Sequence, residues 1–175
     1  KDNPNEIRSA NDVLASFGDS ARIFEDLTLC NMIDYLPYVF VREWVEIPKS
    51  REFRCFVKNK QLRGISQYYY REKYYYLDNS YNRELIKSQA EGMLEDMQEL
   101  GFNLNNLVFD MVYRDNSELS LLIEVNPYSS WTDPCLFDWA LDKFEEFEFK
   151  WLQSLDKISE VKDENWERAK RNGIA

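Results

Sequence analysis

Apolar residues recur along this chain in two rhythms. Between residues 82 and 100, Leu85, Ile86, Ala90, Met93, Leu94, Met97 and Leu100 return every three or four positions, the spacing that lines one face of a helix, and Gly101 follows as a stop. Between 52 and 57, Phe53, Cys55 and Val57 alternate with Glu52 and Arg54, the period of a strand. Lys58-Asn59-Lys60-Gln61 then predicts a turn into a second strand over 62–67, so the two should pair antiparallel. Two more strands are expected over 106–113 and 119–125, joined by the polar turn 114–117.

The remaining segments carry weaker signals. Residues 9–17 open on capping side chains and keep a short apolar face before Gly18, which predicts a short helix. An irregular stretch is expected up to Leu36-Pro37, and 38–47, dense in aromatic and β-branched residues, predicts a strand closed by Pro48. The run 68–76 holds six tyrosines and reads as a half-buried strand or loop that needs their bulk, with base stacking as the competing use. Residues 135–152 predict a helix with a wide aromatic face, and 158–171 an amphipathic helix rich in charge. No repeat or linker interrupts the pattern, so a single domain is expected over 1–175, its last helix within 155–175.

Composition narrows the chemistry. Hydrophobic residues at 44% and charged residues at 31% make a globular balance. With 32 acidic against 22 basic residues, the net charge of -10 repels a phosphate backbone and argues against nucleic-acid binding. The chain has no His and only three widely spaced Cys, which excludes a His-based triad and disfavours a thiolate zinc site; any metal would be a hard cation held by oxygen. Cys55 should lie in a core strand as a free thiol, which suits a reducing compartment. The chain opens Lys1-Asp2-Asn3-Pro4 without a Met or a signal core, and no apolar run nears the roughly 20 residues that span a bilayer. A soluble, cytoplasmic monomer without membrane contact is the expectation.

The predicted hairpin of 106–113 and 119–125 brings candidate ligands together. Glu124 and Asn126 are two apart on one strand and share a face, and Asp110 can reach the same point from the neighbouring strand. Three such oxygens suit one or two Mg²⁺ ions whose shells are completed by water and phosphate. Taken alone, the two acids equally fit ordinary outward-facing residues. Val108-Phe109 and Leu121-Leu122-Ile123 mark core strands, however, where an acid needs a partner or an ion.

Several separated blocks carry a resemblance: Glu52-Phe53-Arg54-Cys55-Phe56-Val57, Gly64-Ile65-Ser66-Gln67, Val108-Phe109-Asp110, Asn126-Pro127, Thr132-Asp133 and Leu136-Phe137-Asp138-Trp139. Asn11-Asp12-Val13 and Asp26-Leu27 lie upstream, so the likeness covers about residues 10–145. In this order they resemble the cell division cycle protein 123 family of the ATP-grasp superfamily. That resemblance implies an α+β, ATP-grasp-like fold: a mainly antiparallel sheet flanked by helices. The family's lysine-bearing N-terminal part would precede residue 1, so that part of the fold is expected to be missing or reduced.

By the same resemblance the cofactors would be ATP and Mg²⁺. Arg42, Glu43 and Trp44 would line the nucleotide cleft, and Arg54 would approach the phosphates, although a structural ion pair with Glu52 or another strand neighbour is the competing role. Asp110, Glu124 and Asn126 would hold magnesium at the nucleotide, and Asp133 would help shape the pocket. Glu124 stands where the family usually has Asp, a change similar to the Glu-x-Asn of other ATP-grasp enzymes. The implied role is an assembly factor, or chaperone, for translation initiation factor 2 through its gamma subunit. The alternatives are an ATP-dependent carboxylate–amine ligase acting on a peptide or protein, and a domain that keeps the fold without turnover.

Overall fold

A computed structural model of the chain describes residues 7–38, 40–114 and 120–154. The chain divides into two compact units, Lys1–Glu46 and Ile47–Ala175. The expected helix within 155–175 and the turn residues 115–117 lie outside the described residues.

The first unit holds two helices, α1 (Ala10–Asp19) and α2 (Ala21–Met32), which pack against each other. The hydroxyl of Ser9 accepts the Asp12 amide at 3.3 Å and that of Ser20 accepts the Ile23 amide at 3.3 Å, so each helix starts on a capping serine. Helix α1 matches the expected one but continues through Gly18. Helix α2 replaces an expected irregular stretch: Ser20 supplies its cap, and no Gly or Pro occurs from Ala21 to Leu36 to break it. The strand expected over 38–47 is not formed; none of the described residues there pairs with a neighbour, and Tyr38, Phe40 and Val41 are exposed. β-Propensity records packing against adjacent strands, which this segment lacks.

The second unit is built on a mixed five-stranded sheet of β1 (Glu52–Lys58), β2 (Gln61–Gln67), β3 (Leu107–Val112), β4 (Leu121–Asn126) and β5 (Glu148–Lys150), in the order β4-β3-β1-β2-β5. β1 and β2 form the expected hairpin, with Asn59 at φ 54° and Lys60 at φ 63° in the left-handed conformation that a two-residue turn demands. β3 pairs antiparallel with β1 and β4, while β5 joins β2 in parallel. Helix α3 (Ser80–Glu99) begins on Asn79, whose side chain accepts the Tyr81 amide at 2.9 Å, and ends before Gly101 at φ 92°. Among the described residues, no helix is long and apolar enough to cross a membrane.

Alternation sorts the sheet into two faces. Phe53, Cys55, Val57, Ile65, Leu107, Phe109 and Met111 bury one face with Ile86, Ala90, Leu94 and Met97 of α3. Each fully buried side chain of this size contributes about 1.5–3 kcal/mol, which makes this layer the main source of stability. The opposite face carries Phe56 and Val108, covered by Phe137 and Phe144, with Tyr128 and Trp139 packed around them.

This cover comes from residues 127–147, where the sequence predicted part of a helix over 135–152. That helix is absent; turns occupy most of the segment and its end contributes β5. Short polar side chains take the backbone donors instead. Asp133 Oδ1 accepts the Cys135 amide at 2.8 Å, and Asp138 Oδ1 accepts the Ala140 amide at 2.7 Å. Such bonds compete directly with helical ones. Cys135 and Phe144 also adopt positive φ, 54° and 52°, which places the aromatic rings in a cluster rather than along a stripe. The tyrosine run 68–76 forms turns leading into a short 3-10 helix, Tyr75–Asp78, and most of its rings are half-buried. The Gln67 amide pins it by donating to the carbonyls of Tyr69 at 2.9 Å and Glu72 at 2.8 Å.

Candidate functional site

Strand register assembles the polar site. Glu124 of β4 lies opposite Asp110 of β3, Asp110 opposite Arg54 of β1, Arg54 opposite Ser66 of β2, and Ser66 opposite Lys150 of β5. Directly paired residues point to one side of a sheet, so a single polar row crosses all five strands on the face away from α3. Glu52 and Asn126, each two positions from a member of the row, share this face. An irregularity in β4 makes the arrangement possible. Asp110 pairs with Glu124 and Met111 with Leu122, so Ile123 is the extra residue of a bulge. The bulge lets Leu122 pack with the apolar layer while Glu124 turns to the polar one.

At the centre, Arg54 Nε donates to Asp110 Oδ1 at 2.9 Å and Nη2 donates to Oδ2 at 2.8 Å, a bidentate pair between side chains that are almost completely buried. Nη1 donates to the carbonyl of Asp133 at 2.6 Å. The guanidinium also lies 4.9 Å from the centre of the Tyr68 ring. Asn126 Nδ2 donates to Glu124 Oε1 at 3.0 Å and to Asp110 Oδ2 at 3.4 Å, and Glu124 Oε1 stands 3.8 Å from Arg54 Nη2.

Two carboxylates, Asp110 and Glu124, therefore flank one guanidinium, and Glu52 on the same face feels the charges of all three. Burial, reinforced by the charge of Asp110, pushes the Glu52 carboxyl from an ordinary 4.5 up to about 7, with Arg54 opposing the rise. Burial likewise carries Asp110 from 3.8 up to about 6, against the hydrogen bonds and charge of Arg54. For Arg54, burial works against the charge, but the bonds to Asp110 override it and raise its pKa. The site is short of positive charge.

Of the residues singled out in the sequence, Arg54, Asp110, Glu124 and Asn126 meet at this point. Arg54 forms an ion pair with a strand neighbour, one of the two roles considered, and the partner is Asp110 rather than Glu52. Asp133 contributes its backbone carbonyl here, while its carboxylate caps the following turn. Arg42, Glu43 and Trp44 are exposed residues of the first unit. Sequence reasoning weighed Glu52 only as an ion-pair partner of Arg54 and gave Ser66, Lys150 and Tyr68 no place in the site. For Glu52 the signal was present, since its two-residue offset from Arg54 on a strand dictates a common face. Lys150 was hidden by the expected helix; its Nζ bonds Asp142 Oδ1 at 2.7 Å and lies 4.5 Å from the Phe137 ring centre.

The donor chemistry fits a hard divalent cation: two carboxylates and one amide oxygen, with no sulfur or imidazole. Among the described residues no three His, Cys, Asp or Glu converge to hold a metal ion. A cation here would rest on Asp110, Glu124 and Asn126 and draw further oxygens from water or phosphate, the habit of magnesium rather than of a closed structural site.

A family model described as D123 matches residues 2–171. The chain belongs to the D123 family. This is the cell division cycle protein 123 family that the sequence resembles. Among curated D123-type relatives, the chain is 37% identical over 99 residues to "Translation initiation factor eIF2 assembly protein" of Xenopus tropicalis, covering 57% of this chain and 29% of that protein. It is 30% identical over 156 residues to the protein of the same name from Sclerotinia sclerotiorum, covering 79% of this chain and 36% of that one. The chain thus spans about a third of the length of the curated relatives it matches. The structure of Cdc123 from Schizosaccharomyces pombe superposes with a TM-score of 0.64 at 24% identity, over 85% of this chain and 63% of that one. The fold is accordingly that of Cdc123, α+β, with the mixed sheet described above.

Proposed function

We propose that the polar face of the sheet binds a magnesium–nucleotide complex, ATP with Mg²⁺, and that the chain acts in the assembly of translation initiation factor eIF2 through that factor's gamma subunit, as a monomer in the cytoplasm. The observation that carries the binding role is the second carboxylate beside the buried Arg54–Asp110 pair: half-exposed Glu124 lies opposite Asp110, with its Oε1 3.8 Å from Arg54 Nη2. A purely structural ion pair needs one acid per base, and an acid that opens to solvent beside such a pair is placed to meet a cation. The assembly role is supported by the name its D123 relatives carry.

When bound, magnesium supplies charge neutralisation for the nucleotide phosphates. Asp110, Glu124 and Asn126 would hold it. Arg54, fixed by strand pairing, keeps a permanent positive charge on the same face and is oriented by Tyr68 and the Asp133 carbonyl.

Calorimetric titration with ATP, with and without magnesium, tests this reading. Magnesium-dependent binding should occur and should be lost in Asp110→Ala. Removing Asp110 also strands a buried guanidinium, at a cost of about 3–5 kcal/mol, so Glu124→Gln at the half-exposed partner is the companion variant. Magnesium-independent behaviour in the parent and both variants would sink the nucleotide site. A pull-down of the gamma subunit unaffected by Glu124→Gln would separate assembly from nucleotide binding.

A further inference from the structure

The strand order β4-β3-β1-β2-β5 leaves β5 at one end of the sheet. β5 bonds to β2 on one side, and among the described residues no backbone group bonds to its other side. Such an edge presents unpaired N–H and C=O groups in a row. It is anchored beyond Lys150 as well: the Leu152 amide donates to Gln67 Oε1 at 2.8 Å, and the Gln153 carbonyl accepts from Lys73 Nζ.

Two clefts open along this edge and share Glu148. The first, of about 340 Å³, lies before Glu148 in the chain and has Phe137, Phe144 and Phe147 in its walls. The second, of about 230 Å³, lies after it, with Leu136, Phe149, Trp151 and Leu152 in its walls. Charge decides what they can receive. Asp142, Glu145, Glu146 and Glu148 line the first cleft against Arg63 and Lys143. Lys150 engages Asp142 at 2.7 Å and stands 3.7 Å from Glu148, whereas Glu145 and Glu146 are exposed and join no ion pair among the described residues.

A short, charged edge strand ordinarily deters pairing between copies, and the net charge of -10 repels a second copy here. That accounts for the acids but not for two recesses with apolar walls beside the strand. Backbone bonds along an edge, with pockets for alternate side chains, are what an added strand uses.

We propose that the outer edge of β5 receives an extended basic segment of a protein partner as a sixth strand. Its apolar side chains enter the two clefts, and its lysine or arginine side chains meet Glu145 and Glu146. The inference rests on the assembly reading above only in making that partner the factor being assembled. It is independent of the nucleotide site, since β4 and β5 stand four strand spacings apart, about 19 Å.

Amide exchange of the 175-residue chain, in chelator and without nucleotide, tests this with two probes: a capped hexapeptide alternating lysine and leucine, and the isolated gamma subunit. With the peptide at about ten times its Kd, exchange in β5 should slow about tenfold. A fully N-methylated peptide keeps the side chains and charge but has no backbone donors, and should leave β5 unprotected. Glu145→Lys with Glu146→Lys, both at exposed positions, should weaken the peptide about fivefold. The gamma subunit should protect the same strand. Protection of β5 by neither probe overturns the proposal, as does equal protection by the N-methylated peptide. A gamma subunit that binds with β5 exchange unchanged also overturns it and leaves the assembly reading standing. A gamma subunit that does not bind at all overturns the assembly reading, while protection by the peptide upholds the edge.

Discussion

At the scale of single residues, the acids of the polar row are coupled to folding through their protons. Glu52 titrates near 7 in the fold against an ordinary 4.5, and Asp110 near 6 against 3.8. In both cases the folded state binds protons more tightly than the unfolded chain, so this contribution is fully present below the ordinary values and is lost as pH rises through the folded ones. The melting temperature should therefore fall between about pH 4.5 and pH 7. Glu52→Gln should flatten that slope, and added magnesium should recover stability at pH 7.5 in the parent. A melting temperature that climbs across this window would contradict the charge balance described. The cluster was partly legible beforehand because strand spacing is a strict rule: Asp110, Glu124 and Asn126 followed from residues two apart and from one strand pair. The engagement of Arg54 with Asp110 rather than Glu52 depended on cross-strand register, which no local pattern encodes.

Among the elements, those with a clear strand or helix period were readable, namely β1 and β2, the β3–β4 pair and α3, although the bulges in β2 and β4 were not. Where several local preferences competed, the reading failed. Segment 38–47 had β-rich composition without a strand beside it. Segment 135–152 had helix-like apolar spacing, but Asp133 and Asp138 diverted the backbone amides. The aromatic cluster that results is closely packed, with Phe56 to Phe137 and Phe56 to Phe144 centroids 4.9 and 5.0 Å apart. Gly64 faces it from β2, and a Cβ there would come within 2.8 Å of the Phe137 ring and 3.2 Å of Phe144. Both rings are buried and braced by their neighbours, so Gly64→Ala should destabilise the fold by about 1–3 kcal/mol, the usual cost of overpacking. Urea unfolding measures it, and a neutral result would mean that the cluster yields more easily than its packing implies.

For the molecule as a whole, the order of the sheet separates neighbours in space from neighbours in sequence. β1 and β2 adjoin through a two-residue turn, whereas β2 and β5 meet only after the tyrosine loop, α3, β3, β4 and the aromatic cover have all been laid down. Closing so long a loop carries a large entropic cost for the few bonds of a three-residue edge strand. Amide exchange should accordingly be slowest in β1 and β3, which are flanked on both sides, and much faster in β5; uniform protection across the sheet would refute this. Since β5 brings Lys150 to the end of the polar row, the seam that opens most readily is also the one that completes the row, and the Lys150 end of the charged face would be the last part of the sheet to mature during folding.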